Sequence, residues 1–183
     1  MTAPAIANLS GSYALDATHT RLGFTARHAM VTKVRGQFEQ FEGTAVLDAA
    51  DPTKSSATVT FQIASITTGQ AQRDEHLRTN DFFDAPSHPT GTFVSTSVAK
   101  TGEDTFDMVG DLTLKGVSKP VTISWEHTGT AKDPFGNLRA GFEGKTTINR
   151  KDWGITYNAA LETGGVLISE KINLEFDVSA VKA

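Results

Sequence analysis

Apolar and polar residues alternate one by one along most of this chain. That period of two restricts it to β-strands with one face against a core. Leu22, Phe24, Ala26, His28 and Met30 share a face, opposite Arg21, Gly23, Thr25 and Arg27. Ala57, Val59, Phe61 and Ile63 alternate with Thr58, Thr60 and Gln62. Phe106, Met108, Gly110, Leu112 and Leu114 do so with Asp107, Asp111 and Thr113, and Val121, Ile123, Trp125 and His127 with Thr122, Ser124 and Glu126. Ile172, Leu174, Phe176 and Val178 oppose Lys171, Asn173, Glu175 and Asp177, while Glu170 interrupts the run back to Ile168. Further strands are predicted over 92–100 and 138–149, the second with Phe142 and Ile148 on one face. Between Val34 and Asp48 the register slips: Phe38 and Phe41 differ in parity, which a β-bulge near Gln40 reconciles.

Turn signals at Ala50-Asp51-Pro52, Thr101-Gly102-Glu103-Asp104, Gly116 and Asp133-Pro134-Phe135-Gly136-Asn137 divide the chain into roughly eight long strands in sequential hairpins. A sheet of that size, apolar on one side, either packs on a second sheet or closes on itself. Closure at eight strands leaves an interior that side chains fill or that holds one small ligand, and it removes exposed edges. Small residues on or near the inward faces (Ala26, Ser95, Ser97, Gly110 and Gly144) argue for room inside. The length of 183 residues suits a single domain over 11–183, after a small, polar, loosely ordered Met1–Ser10.

One segment departs from the pattern. Residues 70–80 read as a helix, with Thr68 as N-cap and Asn80 as its stop, followed by Phe82 and Phe83. A second helical turn is predicted near 151–157. On the helix Arg73 and His76 lie three apart and Asp74 and Arg78 four apart, so each pair shares a side. They read as a salt-bridge set pinning the helix to the mouth of the sheet, or as a site for a polar or anionic headgroup. His28, on an apolar face, reads as a hydrogen-bonded core histidine or as a polar contact for a ligand.

Several function classes fall away. Lys and Arg are scattered singly in a chain of net charge −4, which excludes a phosphate-binding stripe and makes nucleic acid an unexpected partner. Without cysteine there is no disulfide framework, thiolate metal site or cysteine nucleophile. The five histidines lack metal-ligand spacing, so no metal and no cofactor are expected. Asp74 with His76 or His19 offers an acid–base pair, but no nucleophile motif accompanies it. Met1–Leu9 has neither the basic start nor the apolar run of a secretory leader, and no stretch reaches the ~20 residues of a membrane helix. The chain as written is therefore expected to be soluble and cytoplasmic, or periplasmic or extracellular had a native leader been removed.

Five motifs in order resemble one family: YALDATHTRLGFTARH (13–28), VRGQFEQFEG (34–43), SITTGQAQRDEHLRTNDFFD (65–84), GDLTLKGVSKPV (110–121) and INRKDWG (148–154). The chain resembles the YceI-like proteins, lipocalin-like bacterial β-barrels, from about Tyr13 to Val181, with Trp153 where Phe is usual. The resemblance implies an all-β, extended, antiparallel eight-stranded barrel holding a long apolar chain in a central tunnel. The ligand would be a polyisoprenoid, an isoprenoid quinone or a fatty-acid derivative, bound without catalysis. The tunnel wall is then expected from Phe24, Phe38, Phe61, Leu77, Phe93, Phe106, Met108, Trp125, Phe142, Ile172 and Phe176. Arg73, His76 and His28 would hold the polar head at the mouth. Partners would be the lipid, a transiently touched membrane and a second copy in a homodimer. Three other readings stay open: a sequestration or stress-response module for lipophilic small molecules, an enzyme on a hydrophobic substrate using Asp74 and His76, and a filled barrel that assembles with a partner.

Overall fold

A computed structural model describes residues 9–162 and 165–183. Its strands are β1 (Gly11–Leu15), β2 (Arg21–His28), β3 (Thr32–Phe38), β4 (Phe41–Leu47), β5 (Ser56–Gln62), β6 (Ile66–Thr67), β7 (Thr90–Lys100), β8 (Thr105–Leu114), β9 (Val117–Lys132), β10 (Leu138–Asn149) and β11 (Lys171–Lys182), with one α-helix, α1 (Ala71–Leu77). Every pairing is antiparallel. The last strand closes the ring twice. Its C-terminal end pairs with β1 (Leu15 opposite Ala180), and its N-terminal half pairs with β2 (Thr25 opposite Asn173). β1 and β2 thus form two pieces of one stave, as do β3 and β4, and β5 and β6. The result is a closed eight-stranded antiparallel barrel.

The breaks inside staves are built by side chains that replace ladder partners. Between β1 and β2 the Asp16 carboxylate accepts from the Thr18 N–H (3.0 Å). Thr20 Oγ1 accepts from the Ser179 N–H (3.1 Å), so β11 loses no bond across the gap. Between β3 and β4 the Ser65 hydroxyl accepts from the Gln40 N–H (3.0 Å). The slip expected as a bulge near Gln40 is a full interruption at Glu39–Gln40, after which β4 restarts with the opposite parity. True register shifts lie at Ser95/Ser97 and Gly141/Phe142 instead.

Inward glycines do not leave room. A Cβ on Gly144 would stand 2.5 Å from the Trp125 ring, and one on Gly110 would stand 2.3 Å from the Phe93 ring. Gly36 and Gly91 lie directly across the ladder from Phe24 and Phe61, and both are covered by those rings. Each glycine is a seat on which an aromatic lies flat against the wall. Such a pairing recovers the packing that a strand glycine lacks.

The expected loose N-terminus lies outside the described residues except at its end. There Leu9 is buried with Tyr13, Ala140 and Ala180, and its carbonyl accepts from the Tyr13 hydroxyl (2.8 Å). This small cluster lies at one end of the barrel. At the other end α1 and the turn after it supply Leu77, Phe82 and Phe83 to the main core. The helix is shorter than predicted. Gln70, not Thr68, occupies the N-cap position, and Arg78, not Asn80, the C-cap. The turn predicted near 151–157 is a 3-10 turn at Arg150–Trp153, stopped by Gly154 at a φ of 74°.

Candidate functional site

From the Leu9–Tyr13 cluster to the helix end runs an interior cavity of about 320 Å³, which also reaches Asp48, Ala49 and Pro52 in the loop after β4. Its wall is apolar nearly throughout, because each strand turns alternate residues inward. On β11 alone Ile172, Leu174, Phe176, Val178 and Ala180 all face it. That span is roughly 27 Å along the strand, from a rise of 3.3–3.4 Å per residue. The shape is a tunnel lying along the barrel rather than a cup at its mouth.

All eleven residues expected on the wall line this cavity: Phe24, Phe38, Phe61, Leu77, Phe93, Phe106, Met108, Trp125, Phe142, Ile172 and Phe176. Phe38 joins three other rings, with centroids 6.1 Å from Phe24, 4.7 Å from Phe61 and 5.9 Å from Phe83. Trp125 stacks on Phe176 at 5.7 Å.

The three residues expected to hold a polar head stand elsewhere. His28 is exposed and does not line the cavity: β2 passes the rim after Ala26, and His28 bridges to Ile168 at the cavity's end. Arg73 donates from Nε to Thr68 Oγ1 (2.6 Å) and from Nη2 to the Thr68 carbonyl (2.8 Å), fastening the loop before α1. His76 bonds Asp81 (2.8 Å) and packs edge-on against Phe82 and Tyr157. The predicted ion pairs along α1 do not form either. Asp74 is buried and accepts from the Thr68 N–H (2.7 Å) and hydroxyl (2.5 Å). Arg78 donates to the carbonyls of Ala64 and Ile66. Backbone groups freed by the short 3-10 turn at Ile63–Ser65 and by the approach to the helix compete for these side chains and win. Neither histidine weighed as the base beside Asp74 is paired with it, since His19 bonds Asp16 (2.8 Å). No cluster of three or more His, Cys, Asp or Glu placed to hold a metal occurs among the described residues.

Two polar side chains on the wall escaped the sequence reading as site residues. His127 is buried, shares a hydrogen bond with Thr130 Oγ1 (3.0 Å) and packs 5.2 Å from the Phe142 ring. Arg150 is 5% exposed, and its guanidinium donates to three carbonyls: Ile155 (2.8 Å), Ser169 (2.9 Å) and Ile168 (3.3 Å). Those carbonyls satisfy donors but do not cancel the charge. Burial lowers the Arg150 pKa, and Glu170 offsets this only in part. The signal was present: Phe142, Gly144, Thr146 and Ile148 set an inward parity that reaches Arg150. Trp125 adds a buried indole N–H without a hydrogen-bond partner.

The comparisons with known proteins agree with this architecture. The family profile described as YceI-like domain matches residues 13–180. A UPF0312 protein of Ectopseudomonas mendocina (strain ymp) is 44% identical over 165 residues, covering 88% of this chain and 86% of that protein. The crystal structure of the Campylobacter jejuni YCEI protein is similar with a TM-score of 0.75 at 31% identity, over 86% of this chain and 90% of that one. A polyisoprenoid binding domain from Saccharophagus degradans has the same fold, with a TM-score of 0.70 at 17% identity over 93% and 98% of the two chains.

Proposed function

Because the chain belongs to the YceI-like family, we propose that it binds a long apolar lipid, an isoprenoid or acyl chain, lengthwise inside the barrel and serves as its carrier or store. The observation that carries this reading is the unbroken apolar wall from Ile172 to Ala180, matched on the facing strands. The polyisoprenoid binding domain with the same fold supports it. Each methylene taken from water would contribute about 0.8 kcal/mol, so affinity would come from chain length and from the fit of the tunnel. Lost freedom of motion offsets part of that gain. We place the polar end of the lipid at the helix end, where Arg150 is the one cation on the cavity wall among the described residues.

The test is native mass spectrometry of the purified protein, followed by extraction and titration with isoprenoids and fatty acids. Trp125 provides a second readout, because it lines the tunnel, whereas the Trp153 indole is buried and bonded to the Leu112 carbonyl (2.8 Å). The expected result is a stoichiometric apolar adduct lost on denaturation, and an emission change on lipid uptake that Trp125→Phe removes. A clean apo mass with no uptake of any added lipid would overturn the reading in favour of a filled barrel.

A further inference from the structure

We propose that the β2–β3 hairpin is a docking tip that seats the helix end of the barrel on an anionic lipid bilayer. The docking surface is independent of cargo, but the lipid exchange it would serve rests on the binding reading above.

Charge is the first observation. From 17 to 38 the chain carries Arg21, Arg27, Lys33 and Arg35 and no Asp or Glu, a local +4 in a protein of net −4. Singly spaced in sequence, these cations are gathered by the ladder. Arg27 stands directly opposite Lys33, and Arg35 opposite Thr25, all on the outward face. Like charges facing each other across a strand pair are unfavourable without a counter-charge. Arg27, Lys33 and Arg35 are exposed and have no ion-pair partner among the described residues. Glu162 lies in the loop that packs beside the tip, and the acids on and next to β11 are otherwise placed. Glu170 is bonded to Lys151 (2.8 Å), and Glu175 and Asp177 stand beside Gly23 and Arg21 at the base of the hairpin.

The tip is the second observation. Met30 and Val31 are 66% and 75% exposed. The two central residues of the turn, Ala29 and Met30, hold φ of 51° and 63°, where a tight hairpin ordinarily uses Asn-Gly. The turn accepts that strain and in return carries an apolar side chain at its apex. Arg27 Nη1 donates to the Val31 carbonyl (3.1 Å) and braces it. Beyond Gln37 no strand pairs with the outer edge of β3 among the described residues, so that side of the hairpin is open, while the β2 side is bonded up to the turn by Ser169 and Leu167. Its root lies at the tunnel end: His28 bridges to Ile168, which lines the cavity.

Apolar apex and cationic flanks together match a bilayer interface, where side chains such as Met and Val enter the acyl boundary and Lys and Arg meet lipid phosphates. The most exposed large apolar side chain among the described residues, Phe135, lies at the opposite end, where Asp133 and Asp16 pair with Arg139 and set acids beside the cations.

The test is co-sedimentation of the purified protein with phosphatidylcholine vesicles and with vesicles that also contain phosphatidylglycerol, at low and high salt. Binding to the anionic vesicles alone, weakened by salt, is expected. Arg27→Gln with Lys33→Gln and Arg35→Gln should lower vesicle affinity on the order of a hundredfold, from about fivefold per cation near the surface. Met30→Ser with Val31→Ser should weaken it independently. Three results would overturn the proposal: no binding of the wild-type protein to anionic vesicles, equal binding to both vesicle types, or loss with the charge variants but none with the apex variants. The last would mark a generic polyanion patch. Lipid uptake in detergent-free solution, measured on the same samples, separates a failure of docking from a failure of the tunnel.

Discussion

Gly144→Ala should be destabilising in the wild-type protein and neutral or stabilising once Trp125 is truncated. Gly144 lies opposite Trp125 in the β9–β10 ladder. The three atoms nearest a new Cβ all belong to that ring, at 2.5, 2.6 and 2.8 Å. Contacts that short force the indole off the wall, and overpacking of this kind costs about 1–3 kcal/mol. At about 2–4 °C per kcal/mol for a chain of this size, Tm should fall by roughly 2–12 °C. In a Trp125→Leu background the obstacle is gone. There Gly→Ala acts mainly on the unfolded chain, where it is worth roughly 0.4–1 kcal/mol in the stabilising direction. Urea denaturation of the four proteins gives the coupling directly, provided the slope of the transition is unchanged. The same Gly144→Ala cost in both backgrounds would refute the seat reading, and so would no cost in either.

Two further predictions follow from polar contacts. Bonds from Arg139, Thr18 and His19 hold the Asp16 carboxyl well below the usual carboxylate range. A depressed folded-state pKa contributes stability that is present above the unfolded value of about 3.9 and is lost as pH falls through the folded one. Asp16→Asn should therefore flatten the fall of stability between about pH 4 and pH 2, and an unchanged profile would show that Asp16 contributes nothing to it. At the helix, Asp74→Ala leaves the half-buried Thr68 donors unmet and should cost about 1 kcal/mol by urea denaturation. Asp74→Asn keeps an acceptor and should recover much of the loss; equal costs for the two would argue against that hydrogen bond.

Alternation made the barrel legible, because inward and outward residues of a strand differ in kind and the period survives twist and tilt. It placed Phe61, Met108, Trp125 and Phe176 on the wall without any long-range information. It failed at the rim. His28 continues the inward parity of β2, but by that point the strand has left the barrel, and parity carries no record of where a rim lies. The helix failed for a different reason. Helical spacing gives Arg73, Asp74 and Arg78 partners on their own helix, whereas open groups at Ala64, Ile66 and Thr68 take them. The glycines misled because a missing side chain looks like space in one dimension. Only the cross-strand register reveals which ring fills it. Arg150 was within reach of the same parity that found Ile148, but a charged residue on an inward face does not announce whether it ends a strand or belongs to a wall.

The double closure through β11 has a consequence for how the chain comes to be folded. Bonds such as Thr20 to Ser179 join residues 159 apart, and both β1 and β2 wait for the same final strand. Until Lys171–Lys182 has left the ribosome, both halves of the first stave keep an open edge, and the apolar interior has no seal. Pairing of such high contact order is slow, and exposed edges invite association with other chains. Newly made protein is therefore most vulnerable to self-association until Lys171–Lys182 has emerged, and a chaperone that shields β1 and β2 over that interval would raise its yield more than one acting on the hairpins between β7 and β10.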